Sequence, residues 1–404
     1  MLAYRRLLAD ARFRRFWLAV LLVMVADEFV RTALVWNVYA VTGSAGAVGW
    51  LMVCLTGPII LGGVVAGWLL DRFARSLVMA ADAAVRTVGL LGVALAVAFG
   101  VGGVLPYYVA AVIQGMLTMI LLAGAPSAIA ELIAPEQRSA ANALEMLGFS
   151  AAGAVGPLLA GLCAAHVPPA VTLAAAALAY AGFGLVIRGM AIGGGGGRAA
   201  IARVKWRESG VFEPVVVIIT VLFVIVNIGG GALAVFLPVL VDQGLGRGGE
   251  TYGMLLAVMG VASSGGALLA GMVTSVARLP AMVAAAQTLM GLAALPIGLL
   301  FLAGAPPLGL VVLCLFVLGL VSGPLTVWAQ TIRMRYVAPQ WRGRAFATLR
   351  MIMQSGRPIG GALGGAAIAA VPLGACLIGV AAVMGVPPAL SLLHRAMRRR
   401  LAGQ

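Results

Sequence analysis

Long apolar runs separated by short polar or basic turns make up most of this chain. The first covers residues 16–41 and exceeds the roughly 20 residues that a helix rising ~1.5 Å per residue needs to cross a bilayer. Runs follow at 46–70, 77–100, 105–132, 140–166 and 168–188, and again at 214–241, 250–275, 280–303, 307–330, 345–370 and 372–393. The pattern predicts twelve transmembrane helices. Runs of this length differ from the ~10-residue alternating segments of a membrane barrel, and hydrocarbon does not tolerate an open sheet edge. The fold class is therefore an all-α membrane protein.

Composition agrees, with 63% of the 404 residues hydrophobic, 10% charged and a mean hydropathy of +1.10, far from the average of globular domains. The net charge of +15 would suit nucleic acid only on the basic face of a soluble domain, and here the arginines sit between apolar runs, so no nucleic-acid partner is expected. They report orientation instead. Arg5, Arg6, Arg12, Arg14 and Arg15 precede the first span, and arginines recur in every second loop, at Arg72 and Arg75, Arg138, Arg188, Arg278, and Arg333 to Arg344. By the positive-inside rule both termini are cytoplasmic, in what the resemblance given below makes a bacterial inner membrane. The first run is too long and too charged for a signal peptide and is expected to be retained. Cys54, Cys163, Cys314 and Cys376 lie in four different runs without ligand spacing, so neither a metal nor a disulfide is expected.

The first span carries Asp27, Glu28 and Arg31 near its midpoint. A charge at that depth costs about 2.5–3.5 kcal/mol on insertion scales, so the three need a polar interior to face. Asp27 and Arg31 share a helix face, and Glu28 lies three residues from Arg31. Two readings stay open: a functional cavity, or a self-neutralising knot that fixes packing.

Sliding the halves against each other aligns Gly67 with Gly271, Pro135 with Pro339, Arg138 with Arg342, Gly156 with Gly360, Gly161 with Gly365 and Pro168 with Pro372, all at an offset of 204 residues. Such a repeat predicts two six-helix bundles, 1–188 and 214–404, the second ending in a basic tail. Residues 189–213 form the Gly- and Arg-rich linker; its glycine run lacks the strand and the Gly-Lys-Ser/Thr ending of a phosphate cradle. The charges of the first span have no counterpart, since Gly231 stands opposite.

The loop after span two carries Gly67, Asp71, Arg72 and Arg75 at the spacing of a known signature, with Ala74 and Ser76 as departures. Here the chain resembles the major facilitator superfamily, in which this loop clasps the cytoplasmic side shut. Glu131 is the acid expected to pair with Arg75, and Ser275 in the repeat copy makes that second clasp degenerate. Gly153, Gly156, Pro157 and Gly161 in span five resemble the glycine-proline motif of exporters in this family. The arginine that the family often places three residues before a Gln-Gly pair in span four is Ala111 here, ahead of Gln114 and Gly115, leaving Arg31 or Arg357 to supply the cation. With Asn142-Ala143 and the 38–44 segment, the pattern is similar to bacterial twelve-helix exporters of the macrolide-efflux and enterobactin type.

That resemblance implies a central cavity lined by spans one, four, seven and ten. Polar positions at helical spacing there are Gln114 and Thr118, Thr220 and Asn227, then Ser322, Thr326 and Gln330; Arg350, Gln354 and Arg357 share a face of span eleven. Each could equally serve as an interhelical hydrogen bond. Asp82 and Arg86, four apart in span three, read as a local ion pair.

The expected function is a secondary active exporter of a small amphiphilic drug or metabolite, working by alternating access in exchange for protons, as a monomer and without a cofactor beyond the proton gradient. Asp27 would be the principal proton or cation site, Glu28 its partner and Arg31 the switch. Alternatives are a carrier of siderophores or other acidic metabolites, or an uncoupled importer or facilitator of the same fold. No nucleophile-base constellation points to an enzyme, and no nucleotide motif points to a primary pump.

Overall fold

A computed structural model describes residues 7–134, 137–190, 192–193, 210–270, 278–304, 306–338 and 342–393. Among these, all regular structure is helical. Ten helices are long and apolar enough to cross a membrane. Two more spans join them. Span one, Ala11–Thr42, has the length but carries Asp27, Glu28 and Arg31, and span eleven is divided into Arg342–Gln354 and Gly356–Ala367. The twelve-span fold follows. The linker residues 194–209, the repeat loop 271–277 with Gly271 and Ser275, the loop positions Pro135 and Pro339, and the basic tail from His394 lie outside the described residues.

Two spans expected as single rods are broken, and proline explains both. Span two consists of Ala45–Thr56 and Ile59–Arg72, because Pro58 has no N–H for the Cys54 carbonyl. Pro358 likewise denies the Gln354 carbonyl its partner, and span eleven turns at Ser355. Span six, Pro169–Arg188, and span seven, Pro214–Val239, begin with proline at the first helical position, where the missing donor costs nothing. Span one stops at Gly43, whose φ of 61° only glycine adopts freely.

Contacts divide the chain into two compact units, Met1–Thr42 with Cys54–Ile201, and Gly43–Val53 with Ala202–Gln404. The start of span two therefore groups with the second unit, not with the first bundle as the sequence suggested. A Cβ at Gly49 would press on the Gly361 carbonyl at 2.7 Å and the Gly365 Cα at 3.0 Å.

Within the first unit span one packs on span five, Arg138–His166; span three, Arg75–Ala98, packs on span six; and Ile59–Arg72 packs on span four, Leu105–Leu132. The second unit repeats the scheme. Span seven packs on eleven, span eight (Gly249–Ala270) on ten (Leu308–Tyr336), and span nine (Leu279–Ala303) on twelve (Leu373–Leu393). The crossing points repeat too. A Cβ at Gly62 would overlap the Met116 carbonyl and one at Gly115 the Leu55 carbonyl, while Gly266 meets Leu320 and Gly319 meets Met259 in the same way. These four positions and their four neighbours are related by the same offset of 204 residues. Backbones in contact gain dispersion where hydrocarbon offers no hydrophobic driving force, so glycine spacing fixes which helices meet.

A Cβ at Gly67 would meet nothing within 4 Å among the described residues; Gly62, five residues earlier, is the crossing residue. Gly62→Ala and Gly266→Ala should each cost about 1–3 kcal/mol by overpacking, whereas Gly67→Ala should stay within about 0.5 kcal/mol of the parent. Thermal melting of the purified protein in detergent checks all three.

Candidate functional site

The side chains that hydrocarbon would tolerate least are gathered inside the first unit. Arg86, on span three, is fully buried. Its Nη1 donates to Asp27 Oδ1 of span one at 2.7 Å, and its Nε donates to Asp82 Oδ1 one turn earlier at 3.1 Å. Nη1 also donates to Gln114 Oε1 of span four. Tyr180 of span six closes the group: its hydroxyl donates to Asp27 Oδ1, and the Arg86 guanidinium carbon lies 5.2 Å from its ring centroid. Four helices thus contribute to one network.

Its electrostatics are uneven. Two carboxylates share one guanidinium, so with both ionised the group carries one negative charge in excess. The Asp82 side chain is 2% exposed and that of Asp27 is 19% exposed, so Asp27 is the more accessible of the two acids. Arg86 Nη2 and Gln114 Nε2 are buried donors without a protein acceptor among the described residues.

Glu28 and Arg31 form a separate pair at 3.5 Å, with both side chains partly exposed. Span five presses on this turn through the glycine-proline motif, since a Cβ at Gly156 would lie 2.7 Å from Glu28 Cβ and 2.9 Å from the Phe29 nitrogen. Pro157 stays within the helix and Gly161 is buried, whereas Gly153 has nothing within 4 Å of a Cβ position. The cation beside Asp27 is thus Arg86. Neither Arg31, held by Glu28, nor Arg357, which donates from Nε to Asn227 Oδ1 at 3.1 Å, replaces the arginine that Ala111 lacks. The supposed local pair of Asp82 and Arg86 reaches across to span one.

At one end of the same unit Arg75 is ion-paired with Glu131. The Arg75 backbone N–H donates to the Gly193 carbonyl at 3.3 Å, and the Ser76 hydroxyl donates to Ile192 O at 3.5 Å. A Cβ on Gly193 would overlap the Glu131 carboxylate. Asp71 and Arg72 are exposed, with Arg72 stacked 5.6 Å over the Trp68 ring.

The remaining polar positions mostly serve their own helices. Thr118 donates to the Gln114 carbonyl at 2.6 Å, Thr220 to Val216 at 2.7 Å, Asn227 to Phe223 at 2.9 Å and Ser322 to Gly319 at 2.8 Å. Such back-bonding satisfies a hydroxyl in an apolar setting. Gln330 accepts from Arg333 at 3.0 Å, Gln354 is half-buried and Thr326 is exposed.

Comparison with known proteins fits this arrangement. The family model described as Major Facilitator Superfamily matches residues 16–361. The chain belongs to the major facilitator superfamily. The uncharacterized MFS-type transporter y4rN of Sinorhizobium fredii (strain NBRC 101917 / NGR234) is 26% identical over 357 residues, covering 87% of each chain. Among solved structures the fold is similar to that of a D-xylose-proton symporter, with a TM-score of 0.74, 14% identity and coverage of 95% of this chain and 97% of that one. A POT family transporter in complex with thioalcohol conjugated peptide gives a TM-score of 0.73 at 10% identity, over 93% and 95% of the two chains. A bacterial homolog to the human lysosomal transporter Spinster gives 0.66 at 16%, over 96% and 93%. At these identities the likeness is one of fold. This major facilitator superfamily protein is a membrane-embedded secondary transporter.

Tyr180 was not singled out from the sequence. Its signal was a lone hydroxyl in the alanine-rich run of span six, which gains meaning only once span three is packed beside it. Truncating one partner of a buried ion pair costs about 3–5 kcal/mol, so Arg86→Gln should lower the melting midpoint well below that of Tyr180→Phe, which removes one hydrogen bond worth about 1 kcal/mol. The double variant Asp82→Asn/Arg86→Gln should recover part of the loss, because no uncompensated charge then stays buried.

Proposed function

We propose that this transporter exports a small cationic or neutral amphiphile in exchange for protons, with Asp27 as the exchanging carboxylate. The observation that carries the reading is the shared guanidinium: Asp27 and Asp82 both bind Arg86, and only Asp27 has an open side. One proton on Asp27 brings the group to neutrality and releases one of the bonds to Arg86. One substrate cation beside the ionised carboxylate does the same by charge. Holding both at once would leave a net positive charge away from water, which is unfavourable. Proton and cation therefore exclude each other, and mutual exclusion at one site is the thermodynamic basis of exchange.

The Asp27 carboxylate is held by two donors, Arg86 Nη1 and the Tyr180 hydroxyl, which bind the same oxygen. When the proton arrives, Arg86 retains Asp82, so the arginine is never left without a counter-charge. Glu28 and Arg31 lie on the next turn and pair with each other, which makes them a neutral polar patch for a substrate to pass rather than the principal proton site. The outward direction rests on the resemblance of Gly156-Pro157 to the exporter motif, bacterial inner-membrane placement on the wider resemblance to bacterial exporters, and the cytoplasmic termini on the arginine pattern. A second reading, transport of an acidic metabolite or siderophore, draws support from Arg357, an exposed cation on span eleven whose Nε donates to Asn227 Oδ1.

Inverted membrane vesicles with an imposed pH gradient test the proposal, using ethidium and tetraphenylphosphonium as cationic probes and an acidic siderophore as the contrast. The parent should accumulate a cationic probe with a matching loss of internal protons. Asp27→Asn should lose the gradient-driven component while still exchanging labelled for unlabelled probe, and Glu28→Gln should retain both. Gradient-driven uptake by Asp27→Asn at the parent rate overturns the assignment, and uptake of the siderophore alone replaces it with the second reading.

A further inference from the structure

Arg86 is matched by two acids; a second buried arginine, in the other unit, is matched by none among the described residues. Arg333 lies in the last turn of span ten and is 8% exposed. Its Nε donates to the Ala329 carbonyl at 3.2 Å and its Nη2 to Gln330 Oε1 at 3.0 Å. Nη1 touches the Met353 sulfur at 3.7 Å, and the guanidinium carbon lies 5.6 Å from the Phe346 ring centroid. Every one of these partners is neutral. Phe346 and Met353 are seven residues apart on Arg342–Gln354, with Arg350 between them on the same face. A side chain that touches both Phe346 and Met353 brackets Arg350, and the two cations repel each other.

The four ion pairs among the described residues include neither arginine. The C-terminal end of span ten offers some compensation, since a cation near helix carbonyls gains about 0.3–1 kcal/mol and up to ~2 kcal/mol when partly buried. Removing a guanidinium from water costs several kcal/mol, and a second positive charge beside it adds to that cost. The helix end falls short. Arg350 keeps an exposed surface, so the pair is open on one side to a ligand.

We propose that Arg333 and Arg350 form a binding site for an anionic phosphate group at this end of the second unit, with Gln330 orienting Arg333 toward it. Guanidinium groups bind phosphate oxygens through paired, charge-assisted hydrogen bonds, and a site one turn from a span end lies where headgroup phosphates are found. An acidic lipid headgroup and a free phosphate ester offer the same chemistry. The proposal is independent of the proton-exchange reading, because neither arginine belongs to the Asp27 network.

The test is thermal melting of the full chain in neutral detergent, titrated with phosphatidylglycerol, with inorganic phosphate and with phosphatidylcholine. Phosphatidylglycerol should raise the midpoint of the parent and of Asp27→Asn more than phosphatidylcholine does. Arg350→Gln should weaken that response by about tenfold or more, and Arg333→Gln should remove it. Because Arg350 is exposed, Arg350→Gln remains informative even where Arg333→Gln fails to fold. Stabilisation by inorganic phosphate at comparable concentration assigns the site to a soluble anion; stabilisation by the lipid alone assigns it to a headgroup. A flat response of the parent to both, or an undiminished response in Arg350→Gln, overturns the proposal.

Discussion

A guanidinium that can afford neither water nor hydrocarbon is the constraint around which the first unit is arranged. Arg86 is fully buried, so its counter-charges must come from helices close enough to touch it. One acid one turn away on its own helix would neutralise it. The structure supplies a second from span one, so with both ionised the cluster holds one carboxylate in excess, the imbalance on which the proposed exchange rests. Gln114 and Tyr180 fix the geometry, and through them spans four and six are held to the same centre.

Glycine does the corresponding work for the backbone. In hydrocarbon, helices associate through close approach rather than through the exclusion of water, and the crossings at Gly62, Gly115, Gly266 and Gly319 place backbone directly on backbone. The repeated crossings show that duplication preserved the contacts most sensitive to size. Charge followed another course. Where the first unit has Asp27, the second has Gly231, itself packed against the Arg357 carbonyl. The scaffold is symmetric and the chemistry is not.

Much of the fold was legible because each span declares itself by length and apolarity, and because arginines and glycines mark loops and crossings. The breaks in spans two and eleven were legible in principle from Pro58 and Pro358, since a missing N–H at a known position predicts a missing hydrogen bond. The network was less so. Asp27 stands out in any reading of span one, but its partners Arg86 and Tyr180 lie 59 and 153 residues away in the chain, and periodicity within one helix says nothing about which face meets which. Arg31 was the natural partner by spacing; Arg86 is the partner by packing. Many of the polar positions expected to line a cavity return their hydrogen bonds to the preceding turn, a choice that sequence spacing cannot reveal.

The chain leaving span six lies on the ion pair of Arg75 and Glu131 at Ile192 and Gly193. Connectors between bundles are ordinarily free to drift in sequence, because their backbone answers only to water. Here the root of the connector is an exception. A side chain at position 193 would meet the Glu131 carboxylate, the far end of a flexible side chain that has to swing aside to admit it, so the root of the connector and the ion pair are mechanically coupled.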